Sequence, residues 1–400
     1  MRAHARSVSR IATPLAVAGM LFVTPAQVQA QDYTGIVLYR LQVPPGFDPF
    51  APFGSQVGIS NGNEFARSYG DGFTSAGHVV GTGRMTQDGS VRHALLWSGP
   101  SGTPVDLHPA GGYQATACFA IDGAKQVGYG YFPNRAEEAL LWSGTAASVV
   151  SLHPLTGFSS SSPTGVGGGQ QVGLGDTSTI PFGTHALVWS GTAESVVDLH
   201  PGSGYGDSVA LATNGTQQVG YGITSDRSAW YHALLWSGTA ASVVDLHPAS
   251  GYFNTHAIGL SSNQQVGYAS NFSPETAHAM LWTGTSASHV DLHPGIGYDN
   301  SYATAAGGGK QVGWGHIKGG FTHALLWSGT AGSIVDLHSL LPAPVGALFN
   351  SFASSIDANG NIFGIADDFA GTVYAVEWSL RQAKLVNTST GCGCWPAPMF

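Results

Sequence analysis

The string His-Ala-Leu-Leu-Trp, or a close variant, ends at Trp97, Trp142, Trp189, Trp236, Trp282 and Trp327, and a degenerate copy ends at Trp378. The steps between these tryptophans are 45, 47, 47, 46, 45 and 51 residues. A period of this length signals one supersecondary unit copied along the chain, each copy too small to bury its own apolar face. Any fold for this chain must therefore stack seven similar units.

The unit from Tyr205 to Pro248 reads as four short strands. Ser208 to Thr213 is a run of small and apolar residues, followed by Asn214-Gly215, a strong hairpin signal. Gln218 to Gly222 is a second strand, His232 to Trp236 a third, and Ser242 to His247 a fourth. Pro248 ends the unit, because proline cannot donate to a ladder. The order recurs in the other copies, with first turns at Asp122-Gly123, Gly168-Gly169, Ser262-Asn263, Gly308-Gly309 and Asn359-Gly360. No helical period competes with it.

Four antiparallel strands in about 46 residues make the blade of a β-propeller. The expected fold is all-β, a seven-bladed β-propeller spanning residues 65–388. A ring removes exposed sheet edges only if it closes. Gly35 to Val43 has the pattern of a fourth strand and is expected to join the last blade, whose own fourth strand near Ala383 to Asn387 is weak. Residues 44–64 then form an insertion, and 389–400 a tail.

The N-terminus has the organisation of a secretory signal. Arg2, Arg6 and Arg10 precede an apolar stretch from Ile11 to Val23, and Val28-Gln29-Ala30 suits cleavage after residue 30. That stretch is shorter than the roughly 20 residues a membrane span needs. Removing residues 1–30 leaves 11 basic and 23 acidic residues, a net charge of −12. Such a chain is expected to be secreted, periplasmic or at the cell surface, to insert in no membrane, and to bind no nucleic acid, whose phosphates need a basic surface. A monomer is expected. Cys118, Cys392 and Cys394 are too few for a disulfide framework and make a poor zinc site.

The His-Ala-Leu-Leu-Trp strand, with Gln-Val-Gly-Tyr-Gly before it and Asp-Leu-His after it, resembles the bacterial extracellular repeat family named HAF. Leu95, Leu187, Leu234 and Leu325 stand where that family has Phe, and Met280 does so once. The resemblance covers roughly residues 65–380 and implies an exported repeat protein; it transfers no catalytic residue. WD-repeat propellers are similar in strand count and in a third-strand Trp, but their Trp-Asp ending is missing.

Two constant spacings mark candidate site residues. His93 and His108 lie 15 residues apart, as do His185 and His200, His232 and His247, His278 and His293, and His323 and His338. On a hairpin this makes them cross-strand neighbours. Blade two has Glu138 with His153, and blade seven Tyr374 with Ser389. The pairs admit a metal reading, but repetition in every blade favours a structural network in which Asp106, Asp198, Asp245, Asp291 and Asp336 orient the imidazoles. Five residues after each fourth-strand His comes an aromatic preceded by Gly: Tyr113, Phe158, Tyr205, Tyr252 and Tyr298. These are expected in the loops crossing to the next blade, near the channel mouth. There they serve either as a ligand-stacking ring or as wedges between blades. The third-strand tryptophans are expected in the core.

No Gly-x-Ser-x-Gly elbow, His-Glu-x-x-His motif or phosphate loop is present, and no catalytic residue is assigned. No metal or cofactor is expected. The reading favours a binding or surface-interaction module for carbohydrate or extended peptide. Candidate ligand contacts are His108, Tyr113, Glu138, His153, Phe158, His200, Tyr205, His247, Tyr252, His293 and Tyr298. The alternatives are a propeller-type hydrolase or lyase with its site at the channel mouth, and a structural surface protein without a small ligand. A ligand site should break the repeat's symmetry, and blades one, two and seven deviate most.

Overall fold

The computed structural model describes residues 33–40, 79–84, 91–97, 103–133, 136–178, 183–226, 231–271, 276–342, 348–369 and 373–380. The expected signal segment, the expected 44–64 insertion, residues 383–387, Ser389, Cys392 and Cys394 lie outside them. Within the described residues the chain forms seven antiparallel sheets, six of four strands and one, blade one, of three. The protein is a seven-bladed β-propeller. No helix among these residues is long and apolar enough to cross a membrane.

Blade four shows how the sequence builds a unit. Its strands are Tyr205–Thr213, Gln218–Thr224, Tyr231–Trp236 and Val244–Asp245, paired in chain order. Gly220 lies opposite Ala210, and a Cβ there would fall on the Val209 carbonyl oxygen; at Gly222 it would enter the Tyr205 ring. These two contacts account for the glycines of Gln-Val-Gly-Tyr-Gly. Gln218 is buried, and its Oε1 accepts the Gly238 N–H at 2.8 Å, tying the second strand to the turn after the third.

Two local expectations are corrected. The fourth strand is Val244–Asp245, not Ser242 to His247. A 3-10 turn, Ala240–Ser242, takes its place, because Ser242 Oγ accepts the Ser237 N–H and donates to the Thr239 carbonyl. Asn214-Gly215 does not close a two-residue loop, since Thr213 pairs with Gln218. Asn214 Oδ1 accepts the N–H groups of Thr216 and Gln217 and stabilises a longer loop. At Gly168-Gly169 the loop has two residues, with φ of 56° and 85°, the positive pair a tight type I′ hairpin needs.

The first strands of consecutive blades face the ring axis and touch one another from blade two to blade seven. Thr164 and Thr304, at bulges, donate to the Ala210 and Ala353 carbonyls of the following blades. Each third-strand Trp is fully buried. Trp236 packs with Leu234 and Ala210 of its own blade against Val172, Ala186, Val188 and Leu199 of blade three, so the core is a series of inter-blade seams. In the seventh sheet the strands Leu348–Ile356, Ile362–Asp368 and Val373–Leu380 are flanked by the N-terminal strand Tyr33–Arg40, which pairs antiparallel with Val373–Leu380.

Candidate functional site at the histidine-bearing end

One end of the ring carries the starts of the first and third strands, the ends of the second, and the crossings between blades. Every candidate residue stands here. The imidazoles of His232 and His247 stack with ring centroids 4.0 Å apart and planes 8° from parallel. The other four pairs repeat this at 3.9 to 4.1 Å. Constant spacing across the hairpin has become face-to-face contact.

The stacked pair belongs to a chain of hydrogen bonds linking two blades. His232 Nδ1 donates to Asp245 Oδ2 at 2.7 Å, and Asp245 Oδ1 accepts the His247 N–H at 2.7 Å. His247 Nδ1 meets the Thr255 hydroxyl of blade five at 3.0 Å, and Thr255 Oγ1 accepts the buried Ala233 N–H of blade four at 2.8 Å. The Thr255 hydroxyl thus joins the His247 ring and the Ala233 backbone in one contact, with one proton and two lone pairs to share between them. The chain recurs from His93 and His108 to Thr116, from His185 and His200 to Ser208, from His278 and His293 to Ser301, and from His323 and His338 to Ser351. In blade two His153 bonds Ser161, and Glu138 occupies the first histidine's place.

A second inter-blade bond lies beside it. Asp207, Asn254, Asn300 and Asn350 accept the N–H groups of Thr184, Tyr231, Ala277 and Thr322 in the preceding blades. These acceptors precede Ser208, Thr255, Ser301 and Ser351, so each inner strand pins its neighbour through a side-chain doublet. The sequence reading missed this. Its signal was an Asp/Asn-Ser/Thr doublet two residues beyond Tyr205, Tyr252 and Tyr298.

The electrostatics follow from the geometry. Burial pushes His108, His200, His247 and His293 below the usual imidazole range, His247 to about 4, and the facing histidine adds to the effect. Burial alone would raise Asp245, but hydrogen bonds from His232, the His247 N–H and Tyr205 outweigh it and hold the carboxyl low. At His108, His200, His247 and His293 the neutral imidazole is favoured, and at Asp106, Asp245 and Asp291 the ionised carboxylate. Each Nδ1 is already engaged, and no group of three or more His, Cys, Asp or Glu among the described residues could hold a metal ion.

The aromatics are placed differently from expectation. Phe158, Tyr205 and Tyr298 are the first residues of first strands, not parts of free crossing loops. Tyr205 lies over Gly222, meets His232 edge-on at 6.2 Å, and donates its hydroxyl proton to Asp245 at 2.9 Å. Tyr252 bonds Asp291 in the same way, Phe158 meets His185 edge-on, and Tyr113 packs on Phe132. These rings stabilise their own blades.

Thr255 can be tested directly. Thr255→Val removes the acceptor of a buried N–H and the partner of His247 at constant volume. An unsatisfied buried donor costs about 1–3 kcal/mol. We expect a loss of that size in denaturant unfolding and recovery in Thr255→Ser; an unchanged midpoint in Thr255→Val would contradict the clasp.

Symmetry breaks at the junction of blades six and seven. Phe321, Phe349 and Phe369 form a cluster with ring centroids 3.9, 4.5 and 5.7 Å apart. Phe369 is 67% exposed and Phe321 39%. Phe349 stands where blades three, four and six have Ser159, Gly206 and Asp299, and Phe369 where blades three and four have Ser178 and Ser225. Beside it Asp367 accepts from the Asn350 N–H and side-chain amide, and Tyr374 donates to Asp368 at 3.0 Å.

No protein-family model matches the sequence, and no curated protein is similar to it. The likeness to the HAF repeat therefore rests on the motifs alone. Among solved structures, the chain is similar to the β-propeller domain of the Trilobed protease from Pyrococcus furiosus, described as having an open velcro topology. The two are 9% identical over 77% of this chain and 94% of that one, with a TM-score of 0.52. It is also similar to a puromycin hydrolase mutant complexed with PGG, at 12% identity over 78% of this chain and a TM-score of 0.51. The chain spans about half of that hydrolase, 52% of its length. An oligogalacturonate lyase from Vibrio parahaemolyticus matches at 8% identity with a TM-score of 0.45, too low to carry an argument. At these identities the likeness shows the propeller fold alone.

Proposed function

We propose that this protein is an exported binding module that docks an extended ligand, a polypeptide segment or a glycan, on the histidine-bearing end of its ring. The observation that carries the reading is the contrast between repeated and unrepeated residues there. The repeated His, Asp, Ser/Thr and Tyr residues spend their hydrogen bonds on one another and make a rigid platform. At blades six and seven the repeat is replaced by exposed aromatic rings beside carboxylates. Exposed aromatic clusters on an otherwise polar surface mark interaction sites.

The candidate contacts His108, Tyr113, Glu138, His153, Phe158, His200, Tyr205, His247, Tyr252, His293 and Tyr298 form the platform under this reading. They support the ligand's surface more than they grip it. A screen of the full chain against immobilised glycans and peptides tests the proposal. We expect saturable binding at micromolar to submillimolar concentration; its absence at millimolar ligand would favour the structural surface protein.

A further inference from the structure

We propose that Asn359 is a self-modification site: the backbone nitrogen of Gly360 attacks its side-chain amide, and the products loosen the strand that shuts the ring. The step needs no reagent but water. The Gly360 nitrogen bonds the Asn359 Cγ, the Cγ–Nδ2 bond breaks, and the Gly360 amide proton leaves through water with the departing ammonia. Water then opens the resulting imide at either carbonyl. One opening gives aspartate, and the other gives isoaspartate, with the main chain rerouted through the side chain. Glycine favours the attack, because no Cβ crowds its nitrogen.

The first support is a contrast inside the molecule. Asn-Gly occurs at 61–62, 214–215 and 359–360, the first of these outside the described residues. In the other two pairs the attacking nitrogens are alike. Gly215 N–H donates to Thr213 Oγ1 at 3.1 Å, and Gly360 N–H donates to the Asp357 carbonyl at 3.1 Å. The amides differ. Asn214 Oδ1 accepts from the N–H groups of Thr216 and Gln217 and from the Thr216 hydroxyl, while its Nδ2 donates to the Ser261 carbonyl of blade five at 3.0 Å. Asn359 is exposed, and its side-chain amide makes no hydrogen bond among the described residues. Its N–H is held by Asp357 Oδ1 at 2.8 Å, so the backbone is fixed while the side chain rotates in water.

The second support is what stands behind the turn. Gly360 is buried with φ of 84°, and its carbonyl accepts the Tyr33 hydroxyl at 3.2 Å. Tyr33 begins the N-terminal strand and pairs with Leu380, whose side chain lies 3.1 Å from where a Cβ of Gly360 would stand. Isoaspartate inserts a methylene into the main chain immediately before Gly360, which displaces that carbonyl. Aspartate adds a charge two residues from Asp357. After burial, the Asp357 carboxylate already raises Glu377 above its usual range, opposite Ile36 of the same N-terminal strand. Both products act on the one described sheet that unites strands from opposite ends of the chain.

The test ages the full chain in mildly alkaline buffer and maps deamidation by mass spectrometry, with isoaspartate identified by fragmentation. We expect Asn359 to convert at least about tenfold faster than Asn214, because the Asn214 amide must first leave several hydrogen bonds, each worth a fewfold in population. In denaturant the two rates should converge. Hydrogen exchange of Tyr33–Arg40 should be about two- to tenfold faster in the aged protein, the shift that one lost hydrogen bond produces. Aged Asn359→Gln, whose longer side chain closes an imide far more slowly, should exchange like fresh protein, and circular dichroism would verify its fold. Asn214 reacting as fast as Asn359 in the native chain would overturn the inference. So would a difference that persists in denaturant, since sequence and not the fold would then be its cause. So would a modified Asn359 whose closing strand exchanges as in fresh protein.

Discussion

Replacing Trp236 by alanine is expected to cost about 3–5 kcal/mol of stability, the range of large-to-small truncations of buried aromatics. The ring is wholly buried in the seam between blades three and four, against Val172, Ala186, Val188 and Leu199. Such a seam collapses poorly around a missing indole, because both walls are sheets held by their own ladders. The indole N–H makes no hydrogen bond to protein, and neither do those of Trp142, Trp189, Trp282 and Trp327. The residue is there for volume, so Trp236→Phe should retain most of the stability. Thermal or denaturant unfolding followed by circular dichroism would decide. Similar midpoints for the Ala and Phe variants would contradict the seam model.

The second large effect is acid lability. His247 and His338 are held at about 4 and His256 at about 3, in each case first by burial, while His108, His200 and His293 are lowered for the same first reason. Unfolded imidazoles titrate near 6.5. Between these values the unfolded chain binds more protons than the native one, so stability falls as pH drops below about 6.5. The loss levels off below the native values. Each full proton of difference is worth about 1.4 kcal/mol per pH unit. The clasp histidines are half exposed and contribute only a fraction of that, while His256 is closed in by Tyr221, Tyr231 and Tyr268. Asp106, Asp245 and Asp291 then extend the decline. Burial opposes their ionised form, but their histidine and backbone hydrogen bonds hold them low, so their contribution is present above about 3.8 and disappears at lower pH. The melting temperature should be steady between about pH 7 and 9 and fall continuously from about pH 6.5 to 4. A flat profile across that window would refute the neutral-imidazole network.

Much of the architecture is legible in the sequence because the repeat states it seven times. His232, Gln218 and Trp236 recur at spacings that only a short-stranded unit accommodates, and the strands they head are present. What escaped reading is what side chains do to the backbone. Ser242 bends the chain into a 3-10 turn where alternation suggested more strand, since a capping hydroxyl leaves no trace in hydrophobic periodicity. The Asp207-Ser208 doublet looks like ordinary strand-edge polarity until the neighbouring blade's N–H groups arrive. Tyr205 could have faced a ligand or its own blade. The empty side of Gly222 and the carboxylate of Asp245 decide for the blade. The aromatic cluster was the hardest to see, because Phe321, Phe349 and Phe369 are distant in sequence and each is unremarkable alone.

The outer strand of blade seven has a kinetic consequence. Tyr33 donates its hydroxyl proton to the Gly360 carbonyl, across 327 residues of chain. The described strands of every other blade pair among themselves and can form as soon as they are made, whereas the seventh sheet waits for a strand from the far end of the chain. Closing a flexible loop of that length would cost about 5 kcal/mol of chain entropy; blades formed beforehand shorten the flexible span, and the remaining cost falls on a single late event. Folding should therefore show fast local phases and one slow phase that ends only when the ring is shut. Slow phases of this kind follow from non-local pairing. A covalent staple between that strand and Val373–Leu380 would slow unfolding more than one placed inside any single blade.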